Sequence, residues 1–181
     1  MSEKQKSATR VVTSKVRFCY VHAFEPTAMD EKSDKKYSIT VLVPKRDKKM
    51  VERLEGAVKA ALEEGKTKLG GKIPATWKNP LRDGDEERPD DETFEGVIFF
   101  NANSARKPGV VDENLDPIID KDEFYSGCYG RASINFYAFN TSGNKGVAVG
   151  LNNLQKLEDG ERLSGDFTTP EDDFGDQDEL M

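Results

Sequence analysis

The chain has 181 residues, 35% of them apolar, which suits one domain with a real core, and its formal net charge is -7. All of that charge belongs to residues 166–181 (DFTTPEDDFGDQDELM), which hold seven acids and no Lys or Arg, while the rest balances 27 acids against 27 bases. No run approaches the length of a bilayer span and the N-terminus (MSEKQKSATR) lacks the apolar stretch of a secretory signal; Cys19 and Cys128 stand far apart with no CxxC, as free thiols do in a reducing cytoplasm.

Residues 1–9 read as a flexible polar arm. Residues 10–24 (RVVTSKVRFCYVHAF) alternate with a period of two and predict a single strand. Val16, Phe18, Tyr20, His22 and Phe24 fall on one side of it, and Lys15, Arg17, Cys19, Val21 and Ala23 on the other. Residues 25–36 read as loop. Residues 37–43 (YSITVLV) form the next strand, stopped by Pro44. Residues 47–64 repeat apolar side chains at three- and four-residue steps, a helix with Asp47 as its N-cap and Gly65 at its end.

From Gly70 to Glu95 the chain is irregular, with Trp77 between two Pro-containing pairs. Within it, residues 83–95 (DGDEERPDDETFE) carry eight acids and one Arg, a composition that predicts no packed core. Residues 96–102 predict a short buried strand, and 103–123 a loop broken by Pro108, Gly109 and Pro117. Residues 124–139 (FYSGCYGRASINFYAF) predict a long strand, paired through a turn at Thr141–Gly146 with a strand over 147–157. Five strands, one helix and long loops fit an all-β OB-fold Greek-key barrel over residues 10–165, followed by a disordered acidic tail over 166–181.

The strand over 129–139 carries the most specific pattern. Ala132, Ile134, Phe136 and Ala138 make a core face; Tyr129, Arg131, Ser133, Asn135, Tyr137 and Phe139 face the other way. Six of the sixteen aromatics lie in residues 124–139. Bases stack on such rings with little sequence preference, and a guanidinium pairs with phosphate or stacks on a base. Tyr129, Arg131, Tyr137 and Phe139 are therefore the expected stacking platform. Lys15, Arg17, Lys36 and Lys145 would track phosphates, and Tyr20, Tyr37 and Trp77 complete the DNA-binding set, Trp77 being either a stacking residue or the anchor of its loop.

Catalytic chemistry finds little support. His22 is the only histidine, on an apolar-aromatic strand face. No Walker loop, GxGxxG or nucleophile–histidine arrangement is apparent, and Cys and His are too few for zinc. The acidic run from Asp83 has Arg88 where a calcium loop needs Gly. The acids over 112–123 lack a recognisable nuclease spacing. No enzyme activity, cofactor or metal is expected.

The blocks PLRDGDE (80–86), FYSGCYGRASINFYAF (124–139) and GNKGVAVGLNNLQKLEDGERLSG (143–165) resemble a family of bacteriophage and prophage single-stranded DNA-binding proteins, first catalogued as a domain of unknown function. The resemblance covers roughly residues 10–165. It implies an OB-fold barrel, sequence-independent binding of single-stranded DNA and a role in phage replication, and the expected setting is DNA replication or recombination in the bacterial cytoplasm. The architecture is also similar to that of the T7-type single-stranded DNA-binding proteins, whose acidic tail ends in an aromatic. This chain departs by ending in Leu180-Met181, with Phe174 seven residues earlier.

The acids and apolar residues of the tail (Asp172, Asp173, Phe174, Asp176, Asp178, Glu179, Leu180, Met181) are expected to compete with DNA and to recruit replication or recombination proteins. A homodimer stays open; a membrane partner is not expected. The rival readings are a strand-annealing or recombination-mediator protein and, in another class, an acidic DNA mimic that inhibits a host enzyme.

Overall fold

The computed structural model describes residues 8–28 and 35–163, which form eight strands, one long helix and one single-turn helix. In chain order they are β1 (Arg10–Val12), β2 (Val16–Thr27), β3 (Lys36–Pro44), α1 (Lys48–Glu64), β4 (Arg82–Asp83), the one-turn α2 (Gly84–Glu87), β5 (Val97–Ser104), β6 (Gly109–Val111), β7 (Tyr129–Thr141) and β8 (Asn144–Glu158). A 3-10 turn at Glu92–Phe94 precedes β5.

The sheet runs β1-β7-β2-β3-β5-β8-β6, and an additional β7–β8 pairing joins it back on itself. The result is a five-stranded barrel of β2, β3, β5, β8 and β7, with β5 and β8 parallel and the other barrel pairs antiparallel. This is the OB-type barrel that the strand count and the hairpin predict. Its interior is filled by the alternating inward residues, among them Phe18, Ile39, Val41, Phe100, Ile134, Phe136 and Val149, all at most 2% exposed. Burial of these side chains is the main force holding the barrel closed.

Helix α1 buries Leu54, Ala57, Val58, Ala61 and Leu62 against the barrel. Asp47 caps it, accepting from the Met50 N–H at 3.3 Å. At its other end Gly65 lies so close to β7 that a Cβ there would sit 2.4 Å from the Ala138 methyl group.

Several local expectations are corrected. The strand over 10–24 is two strands. Thr13 turns inward, where its hydroxyl accepts from the Ala132 N–H at 2.9 Å, and Ser14 donates to Asp47 at 2.7 Å instead of joining the ladder. The second piece then runs on to Thr27, into the segment expected as loop. The alternation also flips: the β2–β3 register shifts between Cys19 and His22, and Tyr20 has φ +47°. Val16 and Phe18 face the core before this bulge, Val21 and Ala23 after it.

β7 begins only at Tyr129, because Gly127 at φ +115° and a Cys128 N–H to Tyr125 carbonyl bond turn residues 124–128 out of the ladder. The β7–β8 hairpin closes more tightly than expected, on Ser142 and Gly143, both at positive φ as a primed two-residue turn requires. The loop over 103–123 contains β6, parallel to β8. The acidic segment 83–95 does contribute to a core: Phe94 is 1% exposed and packs with Cys19, Leu42 and Phe99. The tail residues 166–181 and residues 1–7 of the arm lie outside the described residues.

Candidate nucleic-acid interface

The outer face of β2, β3 and β5 changes character along its length. Cross-strand pairs set Leu42 opposite Phe99, Thr40 opposite Asn101, and Ser38 opposite both Asn103 and His22. At the apolar end, Leu42 and Phe99 are covered by the flap over 82–96 and by Leu163, which pack onto that cluster. At the polar end the face stays open. There it forms a groove of about 820 Å³ whose lining includes Tyr20, His22, Lys36, Thr40, Arg82 and Arg88.

Tyr20 reaches this groove because of the bulge. With a regular register it would share a face with Phe18 and point inward; the positive φ instead leaves the ring 37% exposed on the groove side. A left-handed backbone at a non-glycine residue costs of order 1–3 kcal/mol, and such strain tends to sit where it positions a working side chain.

Two arginines from the flap border the groove. Arg88 lies 4.7 Å over the Phe94 ring and 6.0 Å from the centre of Phe99, and donates to the Tyr20 hydroxyl at 3.5 Å. That hydrogen bond raises its pKa above the ordinary arginine value. Arg82 lies 5.3 Å over Phe99 and bonds Glu87 through its Nε at 2.7 Å. Phe94 and Phe99 meet edge to face at 4.9 Å. The rings thus form a base under two guanidinium planes, and such planes stack on nucleobases as aromatics do.

The flap is clamped to the barrel by Lys45, 2.7 Å from both Asp83 and Asp85. Hydrogen bonds to Lys45 hold both carboxyls below the ordinary carboxylate pKa, and the same bonds raise that of Lys45. The clamp is therefore complete above the ordinary carboxylate range and is lost as pH falls through the lowered values. All of these groups are at the surface, where ion pairs contribute little, so its role is to place the flap.

The residues singled out from sequence are distributed over several places. Tyr20 and Lys36 line the groove. Tyr37 belongs to the inward-facing set of β3 and is half-buried beside Ser104. Trp77 packs on the main core, and the adjoining Lys78 backbone bonds β8 at Lys145 and Val147, so this loop is anchored.

Lys15 and Arg17 lie 5.6 and 5.4 Å over the Tyr129 ring; Lys15 pairs with Glu158, and Arg17 donates to the Gly127 and Glu161 carbonyls. Arg131 donates to the Thr13 carbonyl at 2.8 Å, and Lys145 to the Leu69 carbonyl at 3.0 Å. Tyr137 is 41% exposed and Phe139 half-buried on the outer face of β7. None of Tyr129, Arg131, Tyr137 and Phe139 lines the groove.

His22, Arg82 and Arg88 were missed as groove residues. Arg88 sits among eight acids, and averaging charge over the segment conceals it. The available signal was Phe94, an aromatic with no reason to stand in a solvated acidic loop.

The family model described as the Enterobacter phage Enc34 ssDNA-binding protein matches residues 9–180. The chain belongs to this family. Protein p50 of Acyrthosiphon pisum secondary endosymbiont phage 1 is 29% identical over 174 residues, covering 92% of this chain and 93% of its own. Among solved structures, the single-stranded DNA-binding protein from bacteriophage Enc34 in complex with ssDNA superposes with a TM-score of 0.79 at 24% identity, covering 87% of this chain and 91% of that one. The gp2.5 single-stranded DNA-binding protein of bacteriophage T7 does so at 0.58 and 15%, covering 88% and 97%. At these identities the structural likeness is one of fold. Among the described residues, no helix is long and apolar enough to cross a membrane and no cluster of His, Cys, Asp and Glu could hold a metal ion.

Proposed function

We propose that this chain binds single-stranded DNA without sequence preference, across the outer face of β2, β3 and β5, in phage DNA replication or recombination in the bacterial cytoplasm. The observation that carries this reading is the groove itself: an exposed ring at Tyr20 beside two guanidinium planes seated on Phe94 and Phe99. Membership of the phage family supports it. Rings and planar cations take any base, and Lys36, Ser38 and Asn103 supply groups for sugar and phosphate. Strand faces are where barrels of this type take oligonucleotides.

The test is affinity for single-stranded and duplex DNA of matched length. A duplex hides its base faces, so single strands are expected to bind more tightly, by several of the about 1–3 kcal/mol steps that each stacked base contributes. Equal affinity for the two would rule out the stacking groove.

The acidic tail is proposed to compete for the same groove and to recruit replication or recombination proteins. Leu163, the last described residue, packs on Cys19, Leu42, Phe94 and Phe99 at the apolar end of the same face, and Phe99 also lines the groove, so the chain leaves for the tail beside it. Sixteen residues of flexible chain span about 20–24 Å, and a tethered competitor reaches millimolar effective concentration. Deleting 166–181 is expected to tighten single-strand binding, most at low salt, and to abolish partner recruitment through Phe174, Leu180 and Met181. Unchanged DNA affinity and partner binding would leave the tail a solubilising segment.

A further inference from the structure

Where β5 ends, a second concavity opens in the barrel wall. β5 stops at Ser104 and β6 enters beside β8 only at Gly109, opposite Asn153, so the strand wall has a gap over residues 105–108. The gap forms a cavity of about 540 Å³ lined by Arg106 and Lys107 from the connecting loop, Arg10 from β1, and Asn135, Asn152 and Asn153. Asn153 is oriented by its own hydrogen bond, its Oδ1 accepting from the Gly109 N–H at 3.2 Å. Arg10, Arg106 and Lys107 are all exposed, and among the described residues no carboxylate pairs with any of them. Lys15, Lys45 and Arg82, by contrast, each hold an acid. Three unneutralised cations around a wall of amides make a site for a polyanion with hydrogen-bonding sugars or phosphates.

The position of the cavity says which polyanion. Asn103 lines the groove and pairs with Gly150 of β8, whose partner on β7, Asn135, lines the cavity, so the two concavities are neighbours across the sheet at the end of β5. We infer that a single strand lying in the groove continues past Asn103 and Ser104 into this cavity, where Arg10, Arg106 and Lys107 bind its phosphates. The inference rests on the groove being the stacking site. It makes the cavity a backbone subsite used only by strands long enough to extend beyond the groove.

The test uses the full chain with Arg10→Ala, Arg106→Ala and Lys107→Ala combined; all three side chains are exposed, and circular dichroism and melting check that the fold is kept. Binding is measured to oligothymidylates of about 5 and about 20 nucleotides, the range over which one OB barrel is filled and then exceeded. The short oligonucleotide should bind as tightly as to the unaltered chain. The long one should lose about tenfold or more in affinity at low salt, and its log K against log salt slope should flatten by about 2, from roughly 0.7 per phosphate contact. An equal loss at both lengths would make the three cations a general field around the groove, and no loss at either would leave the cavity without nucleic acid; both overturn the subsite. Failure of the unaltered chain to bind either length would instead overturn the groove reading.

Discussion

Tyr20→Gly is expected to lower affinity for single-stranded DNA by about 1–3 kcal/mol, roughly 5-fold to 150-fold, while leaving the protein as stable as before or more so. The two effects have separate causes. The ring is the exposed aromatic of the proposed groove, so its removal would take away one stacked base. The backbone at this position has φ +47°, a conformation glycine adopts without penalty, so the substitution relieves strain. Tyr20→Ala should lose the same affinity without the gain in stability. The comparison that decides between surfaces is Tyr137→Ala, on the outer face of β7 away from the groove. If Tyr137→Ala weakens DNA binding as much as Tyr20→Gly or more, the strand lies over β7. If Tyr20→Gly leaves affinity intact, the groove is not the site. Equilibrium titration of a labelled oligonucleotide together with chemical denaturation reads both quantities.

Phe100→Ala is expected to cost about 3–5 kcal/mol of stability, the range for deleting a fully buried aromatic. Phe100 is 0% exposed and packs 6.2 Å from Phe136 across the barrel interior. For a chain of this size each kcal/mol moves the midpoint by about 2–4 °C, so the melting temperature should fall by roughly 6–20 °C. Phe94→Ala removes a ring of similar burial from the smaller cluster under the flap, and there the expected result differs. Part of the loss should appear as weaker DNA binding, because Arg88 rests on that ring. A fall in stability from Phe94→Ala with unaltered DNA affinity would separate the flap from the groove.

The barrel was legible because its strands obey the period-two rule wherever one face is buried. Ile39, Val41 and Val43, and Ala132, Ile134, Phe136 and Ala138, are all core residues, as their alternation predicts. The helix was legible from its stripe and from Asp47 as its cap. Charge bookkeeping alone separated the tail from the body. These properties are local, and local chemistry decides them.

What alternation could not show is where it breaks. Nothing in RFCYVHAF announces that the register slips at Tyr20, because the slip depends on which partners β3 and Ser126 offer; the Val21 N–H finds the Ser126 hydroxyl at 3.1 Å. Nor does the outer face of β7 reveal from sequence that Arg131 is held by the Thr13 carbonyl, or Lys145 by that of Leu69, residues 118 and 76 positions away. A cation beside an aromatic reads the same whether it awaits a phosphate or caps a backbone carbonyl. The sequence by itself determined a small β barrel with one helix, a balanced body and an acidic tail. Only the tertiary structure decided which cations and rings share a groove, because that depends on a bulge, a flap folded back over the sheet, and strand neighbours far apart in the chain.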